Sequence, residues 1–396
     1  MTPPTVSLTR DSSPDVLRGF ALWGIIVVNV AYFSTSVSSG VTGDSIEGSG
    51  DAVAAFLVQA LASGKFYILF SFLFGYSAHY LLKDPVRGRR RWVARNVGLI
   101  VVGLLHASLL FIGDILFLYG LLGLALTFFL ARSDRVITAW AAGIYGVTVV
   151  VLSGLAVLTW WAQSAGFASE ELQAGDYEQA VRAGTYLGSI APRVELWLGD
   201  ALFLIFFQGS LTFVAFLVGV LASRINFLGS GRPEGAAKRL MVWGLGVGLP
   251  LQLGTAAVWV GNEVAPSYSE TLSLVSFFAS FVTAPLLSAG YVGVLLWVGN
   301  VAPRALALLG YAGRMSLTVY LSQSLALSLI FGAWGLGLYQ EIPYWAAVLL
   351  AVGVVLGLTL GAAAWLSFFR QGPMERLLSS WSSLFRGSRG AAKRGA

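Results

Sequence analysis

Few residues in this 396-residue sequence can do chemistry, since it contains two histidines and no cysteine. One histidine, His106, lies in the apolar stretch "GLLHASLLFIGDILFLYG" (103–120), with Asp114 eight residues on. An imidazole titrates near neutrality, so it serves as a general base or a proton relay. A carboxylate bonded to its other ring nitrogen would fix the tautomer and stabilise the imidazolium. Structural roles stand beside these. Asp114 follows Gly113 where a helix would begin, a good N-cap position, and capping does not exclude a second role. His106 also suits a core position bonded to a backbone carbonyl. Without cysteine, disulfides, zinc–thiolate sites and cysteine nucleophiles are excluded. No Gly-x-Ser-x-Gly nucleophile elbow occurs. The second histidine, His79, falls near the end of its apolar run and reads as interfacial. Two histidines far apart in depth argue against a histidine metal site, so no metal is expected.

The elements that must position these groups follow from composition. The chain is 57% hydrophobic and 11% charged. Apolar runs of 18 or more residues recur without in–out alternation, which reads as an all-α, polytopic transmembrane helical bundle. Ten spans are expected, roughly 18–38, 52–82, 91–111, 114–131, 136–162, 196–222, 239–261, 271–298, 311–335 and 345–369. The second run is too long for one straight span and suggests a short interfacial helix followed by the true span, or eleven spans in all. Around this domain (18–369) lie a tail at 1–17, an external loop at 163–195 suited to short amphipathic helices, and a basic tail at 370–396. No small-residue cleavage site follows the first apolar run, so no removable signal peptide is read. "KDPVRGRRRWVAR" (83–95) holds six basic residues. Arg132, Arg135, Arg224, Arg232, Lys238, Arg239 and Arg304 mark later loops on that side. Alternate loops are acidic or neutral: Asp44, Glu47 and Asp51, then Glu170, Glu171, Asp176 and Glu178, then Glu263 and Glu270, then Glu341. Both termini are therefore expected in the cytoplasm. The net charge of +6 reads as topology, not as nucleic-acid binding.

Ionisable groups inside spans are costly and point to function. At ~1.5 Å per residue, Asn29 lies about 16 Å above Arg18, Lys65 roughly 27 Å above Lys83, His106 about 22 Å above Arg91 and Gln323 about 18 Å above Tyr311. Asp114 and Asp200 share that outer side. Arg18, Arg95 and Arg314 mark the cytoplasmic face. The expectation is a polar pocket at middle-to-outer depth over a basic mouth. The bland readings are snorkelling for Lys65, interhelical hydrogen bonding for Asn29 and Gln323, and positive-inside anchoring for Arg18 and Arg314. Gly353, Gly357 and Gly361 form one helix face that permits close packing or a homodimer. "GSGRPEGAAKR" (229–239) lacks P-loop spacing and reads as a linker.

Five segments, in order, resemble the YeiB family of bacterial membrane proteins: "DVLRGFALWGIIVVNV" (15–30), "GKFYILFSFLFGYS" (64–77), "GLLHASLLFIGDILFLYG" (103–120), "GYAGRMSLTVYLSQSL" (310–325) and "GPMERL" (372–377). The family resembles a branch of the transmembrane acyltransferases, related to heparan-α-glucosaminide N-acetyltransferase. The resemblance implies a multi-pass protein of the bacterial cell (inner) membrane, surrounded by lipid. It implies that acyl-CoA (acetyl-CoA) docks as co-substrate from the cytoplasm and passes its acyl group to an acceptor on the far side. Asn29 matches an asparagine in the relative's first span. The histidine that follows it there has no counterpart here, which leaves His106 as the candidate base.

The expected catalytic set is thus His106, Asp114 and Asn29. The expected acyl-CoA-binding set is Arg18, Arg314, Lys65, Ser316 and Gln323. In this set Arg18 and Arg314 would hold phosphate, and Lys65 or Gln323, like Asn29, could donate to the thioester oxyanion. The acceptor is open: a glycan, a lipid or a small metabolite. Two rivals stand beside this reading. One is a proton-coupled solute transporter using the same pocket, although no pair of broken helices is evident in the sequence. The other is a non-catalytic membrane protein.

Overall fold

The computed structural model describes residues 12–37, 46–81, 87–166 and 174–384, except the side chains of 79–81, 87 and 200–204. The expectations for residues 1–11, Asp44, the basic loop near Lys83, the His79 and Asp200 side chains, the acidic pair Glu170 and Glu171, and the tail beyond 384 lie outside the described residues.

All regular structure among the described residues is helical. Its first half comprises α1 (Ser13–Asn29), α2 (Ala31–Ser34), α3 (Ser49–Leu61), α4 (Lys65–Leu81), α5 (Arg87–Leu109), α6 (Leu116–Leu126), α7 (Asp134–Ser164) and α8 (Gly175–Ala183). Then come α9 (Ile190–Arg224), α10 (Ala236–Trp243), α11 (Leu249–Glu263), α12 (Glu270–Val301), α13 (Ala307–Arg314), α14 (Ser316–Phe331), α15 (Tyr344–Phe368) and α16 (Pro373–Leu384). Among the described residues, eight stretches are long and apolar enough to cross a membrane, and α6 and α14 are shorter apolar helices. Together these ten occupy the ten apolar runs. The protein is a multi-pass helical bundle. Its unpartnered faces carry large apolar side chains, such as Val150 and Val157 on α7 and Leu349 and Leu360 on α15. That is the surface a hydrocarbon solvent permits.

Helix ends depart from the expected boundaries. α1 begins at Ser13, with Pro14 in its first turn and Asp15 beside it, because proline's fixed φ and an acidic first turn both favour a start there. The segment after α7 holds α8 and a 3₁₀ turn at Leu187–Ser189, and α9 begins at Ile190. The segment after the last span folds into the amphipathic helix α16.

The sequence expects the second run to divide and shows no pair of broken spans; the structure breaks the second run and a further span as well. The second run breaks between α3 and α4, where Gly64 adopts φ +82°, a conformation that suits glycine. The ninth breaks at Met315, between α13 and α14. In α12, Pro285 interrupts the ladder. Nearby carbonyls are served from outside the helix: Gln252 Nε2 donates to Ser280 O at 2.8 Å and Tyr145 Oη to Val282 O at 2.7 Å. Broken backbone at this depth is tolerated only when its polar groups are satisfied within the protein.

α1 is central. Leu17, Ala21, Leu22 and Ile26 are buried, and the helix packs on α4, α12, α13, α14 and α15. α5 and α6 form a hairpin, pinned by Trp92 Nε1 donating to Gly123 O at 2.8 Å. α16 packs on the first half of α5, where Trp381 Nε1 donates to Ala94 O at 2.8 Å. The starts of α1, α5 and α14 and the whole of α16 therefore gather at one end of the bundle. That end carries Arg18, Arg91 and Arg95 and is called the basic end below.

Candidate functional site

The α5–α6 hairpin places the two sequence-singled residues together. His106 Nδ1 lies 2.7 Å from Asp114 Oδ2, with both side chains almost wholly buried. The other oxygen, Asp114 Oδ1, accepts from the backbone N–H of Phe117 at 2.8 Å. Asp114 thus caps the first turn of α6 and holds His106 at once, because a carboxylate has two oxygens with separate lone pairs. The joint is tight. A Cβ on Gly103 would stand 2.2 Å from Phe117 N and 2.8 Å from Asp114 Oδ1, so only glycine lets α6 begin this close to α5. Gly113 has no positive φ; its lack of a side chain makes room for the Phe111 ring, which a Cβ would meet at 2.5 Å.

The end of α5 is built to hold the imidazole still. His106 O accepts from the N–H groups of Leu110 and Phe111, both at 2.9 Å. The next carbonyls, of Ser108 and Leu109, accept from Arg193 Nη1 at 3.1 Å each, and Leu109 O also accepts from Tyr186 Oη at 2.8 Å. Arg193 is 1% exposed and stands over the Tyr177 and Trp334 rings at 5.9 Å. A cation at a helix C-terminus satisfies carbonyls that the helix itself cannot. Above the pair, Phe111 stacks on Phe33 at 4.9 Å and meets Tyr32 edge-on. α8 closes over this end: Tyr177 and Val181 are buried, and Glu178 Oε1 accepts from Ser36 Oγ and Val37 N.

One ring atom is left over. His106 Nε2 is buried and makes no hydrogen bond among the described residues. The Tyr320 ring of α14 stands 5.1 Å from the imidazole, centre to centre. Its hydroxyl lies near the Ile115 backbone without closing a hydrogen bond. Tyr320 also lines a cavity of about 140 Å³. That cavity has Arg91, Arg95, Glu375, Ser379 and Ser382 towards the basic end and Ile115, Tyr119 and Tyr320 on its walls. Tyr320 therefore stands between the cavity and His106.

The remaining expected residues divide. Ser316 lines the cavity. Arg18 lies within electrostatic reach of Arg95, but it is tied to Asp15 at 2.9 Å and to Ser77. Gln323 is buried and donates to Leu22 O at 3.0 Å, joining α14 to α1, with its Oε1 unpartnered. Of the expected residues Ser316 alone lines the cavity, and three others stand apart from it altogether. Arg314 is exposed and donates to Arg370 O at 3.4 Å, so it holds the end of α15 instead. Asn29 is half-buried at the end of α1, and no hydrogen bond joins it to His106 or Asp114. Lys65 is fully buried at the α3–α4 break, its ammonium 2.6 Å from Gln59 O and 3.5 Å from Ser280 Oγ. Its long stem neither reaches the cavity nor snorkels, because the unwound backbone offers a carbonyl at hand. Among the described residues, no group of three or more His, Cys, Asp or Glu side chains is placed to hold a metal ion.

Tyr320, Arg193 and Glu375 escaped the reading of single residues. Tyr320 and Glu375 both lie inside segments that carry the family resemblance, which is the signal that could have found them. Arg193 sits in the segment expected to be an external loop, where charge alone marks nothing.

Comparison with known proteins gives a consistent result. Residues 222–384 match the family described as "Protein of unknown function (DUF418)". The chain is 30% identical to the uncharacterized protein YxaH of Bacillus subtilis (strain 168) over 95% of either chain. It is 25% identical to the uncharacterized protein YeiB of Escherichia coli (strain K12), over 93% of this chain and 95% of YeiB. It is 26% identical to a 39.9 kDa protein in the amylase 3′ region of Bacillus acidopullulyticus, over 92% of both. No solved structure matches.

Proposed function

The chain belongs to the YeiB-like family of bacterial membrane proteins, and from that premise we propose that it is an acyl-CoA-dependent acyltransferase of the bacterial inner membrane. The observation that carries this reading is the buried 2.7 Å His106–Asp114 pair with its second ring nitrogen unused. A structural histidine in an apolar bundle would be expected to spend both nitrogens, because an unsatisfied buried polar atom costs about 1–3 kcal/mol. A base must keep one nitrogen free for its substrate.

In this reading the basic end faces the cytoplasm, and acyl-CoA enters the cavity there with its phosphates near Arg91 and Arg95 and its thioester toward Tyr320. An acceptor hydroxyl or amine gives its proton to His106 Nε2 as its oxygen or nitrogen attacks the thioester carbonyl. Asp114 holds the proton on Nδ1 and stabilises the imidazolium. The tetrahedral adduct collapses by breaking the carbon–sulfur bond, and the imidazolium returns the proton to the departing thiolate. The products are the acylated acceptor and free CoA, with no net proton change. The Tyr320 ring must swing aside for Nε2 to meet the acceptor.

The test is purified protein with acetyl-CoA, measured for binding and for slow thioester turnover, in wild type and His106→Ala. Binding that survives the substitution while turnover falls supports the assignment. Absence of binding by any acyl-CoA removes it. A proton-coupled transporter is favoured by a different observation, the broken spans at Gly64 and Met315, since discontinuous helices often form transport sites. Proton-coupled flux of a solute into proteoliposomes, with no thioester turnover, would select it.

A further inference from the structure

The start of α14 is an anion seat, and the chain fills it with its own carboxylate. Glu375 Oε1 accepts from the N–H groups of Leu317 at 2.7 Å and Thr318 at 3.1 Å, and Glu375 Oε2 from Thr318 Oγ1 at 2.6 Å. Three donors converge on one carboxylate at the positive end of a 16-residue helix, an arrangement that suits any oxyanion. Glu375 comes from the first turn of α16, a short segment held otherwise by its apolar face, by the Trp381–Ala94 bond and by Met374 N–H donating to Thr318 Oγ1 at 3.1 Å.

The surroundings ask for more negative charge than Glu375 supplies. Arg91 and Arg95 line the same cavity as Glu375, Ser316 and Leu317. No hydrogen bond or ion pair engages either guanidinium among the described residues, and Arg95 is embedded with its Nε closed to solvent and unpartnered. The third cation nearby, Arg18, is matched by Asp15. Two arginines therefore face one carboxylate across an open cavity of about 140 Å³. A guanidinium in a low-dielectric bundle is costly without an anion, and its planar fork suits phosphate oxygens.

We propose that this seat is a phosphate-ester site, that Glu375 is a placeholder for the ligand's phosphate, and that a phosphate ligand displaces Glu375 and frees α16 from the mouth of the cavity. The proposal rests on the acyl-CoA reading for the identity of its physiological ligand, but the seat itself recognises phosphate from any source. A nucleotide-bearing thioester would bring one from the cytoplasm and an anionic lipid headgroup would bring one from the bilayer.

The chain has no cysteine, so Ser380→Cys, at an exposed position on α16, takes a single spin label. The protein is placed in phosphatidylcholine nanodiscs and titrated with inorganic pyrophosphate or with CoA. The same sample in phosphatidylglycerol nanodiscs forms the lipid arm. The expected result is a mobile label on adding pyrophosphate or CoA. E375Q should be mobile before any addition and should bind pyrophosphate about tenfold more tightly, because the internal competitor has lost its charge. Arg95→Met should weaken binding by more than tenfold. A label already mobile in phosphatidylglycerol alone assigns the seat to the headgroup. A label that stays immobile while pyrophosphate or CoA binds, with E375Q unchanged in affinity, overturns the proposal, and so does absence of pyrophosphate and CoA binding in both nanodiscs. If E375Q does not fold, the wild-type label and Arg95→Met still decide. Release of α16 without thioester turnover would keep the seat and sink the acyltransferase reading; turnover without release would do the reverse.

Discussion

Asp114→Asn separates what the carboxylate does for the fold from what it does for the imidazole. Asparagine is nearly as good an N-cap as aspartate, so its carbonyl oxygen keeps the bond to Phe117 N now made at 2.8 Å by Asp114 Oδ1. That choice fixes the other end. The amide NH₂ then faces His106 Nδ1, where Asp114 Oδ2 stood at 2.7 Å. Facing a donor, Nδ1 must accept, and the ring proton moves to Nε2. The atom that should take the acceptor's proton is then occupied. The expected loss in thioester turnover is that of a general base, about 10²- to 10⁴-fold, or about 3–5 kcal/mol at 1.36 kcal/mol per tenfold. The stability loss should stay near 1–2 kcal/mol, because a charge-assisted hydrogen bond is exchanged for a neutral one and no atom is orphaned. Released CoA is measured with a thiol reagent, which sees no protein background in a cysteine-free chain. Stability is measured by thermal unfolding in detergent. Wild-type turnover in Asp114→Asn, alongside loss in His106→Ala, would refute the tautomer argument. Unfolding of Asp114→Asn as severe as that of Asp114→Ala would refute the division between cap and base.

Two further outcomes follow from the packing. Gly103→Ala sets a Cβ 2.2 Å from the backbone nitrogen of Phe117, an atom that cannot move without unwinding α6, so it should cost about 3 kcal/mol or more in thermal unfolding. A loss below about 1 kcal/mol would mean the hairpin can open. Lys65→Met should leave thioester turnover within about threefold, since its ammonium is spent on Gln59 O and Ser280 Oγ away from the cavity. A loss on the scale of a general base would return Lys65 to the site.

The sequence by itself determined the class of fold and singled out His106 and Asp114. Run lengths set the helices, because a helix satisfies its backbone locally and hydrocarbon demands that of every span. The loop charges divided the chain into a basic and an acidic side. His106 and Asp114 were legible as candidates on one hairpin, but their spacing crosses a turn, and only the fold of that turn brought them to 2.7 Å. The rest was decided by tertiary structure. Lys65 and Gln323 had the right depth, yet depth fixes only one coordinate, and rotation about the helix axis sent Lys65 to a broken backbone and Gln323 to Leu22 O. The closure of α14 by Glu375, the locking of α5 by Arg193 and the placing of Tyr320 against His106 each join residues distant in the chain. No periodicity encodes such meetings, since they depend on which helix faces touch. The length of the second run announced a break there, but its place at Gly64 and the break at Met315 were hidden for the same reason. An apolar run reads alike whether its helix is continuous or interrupted, and only the partners that receive the freed carbonyls make the interruption tolerable.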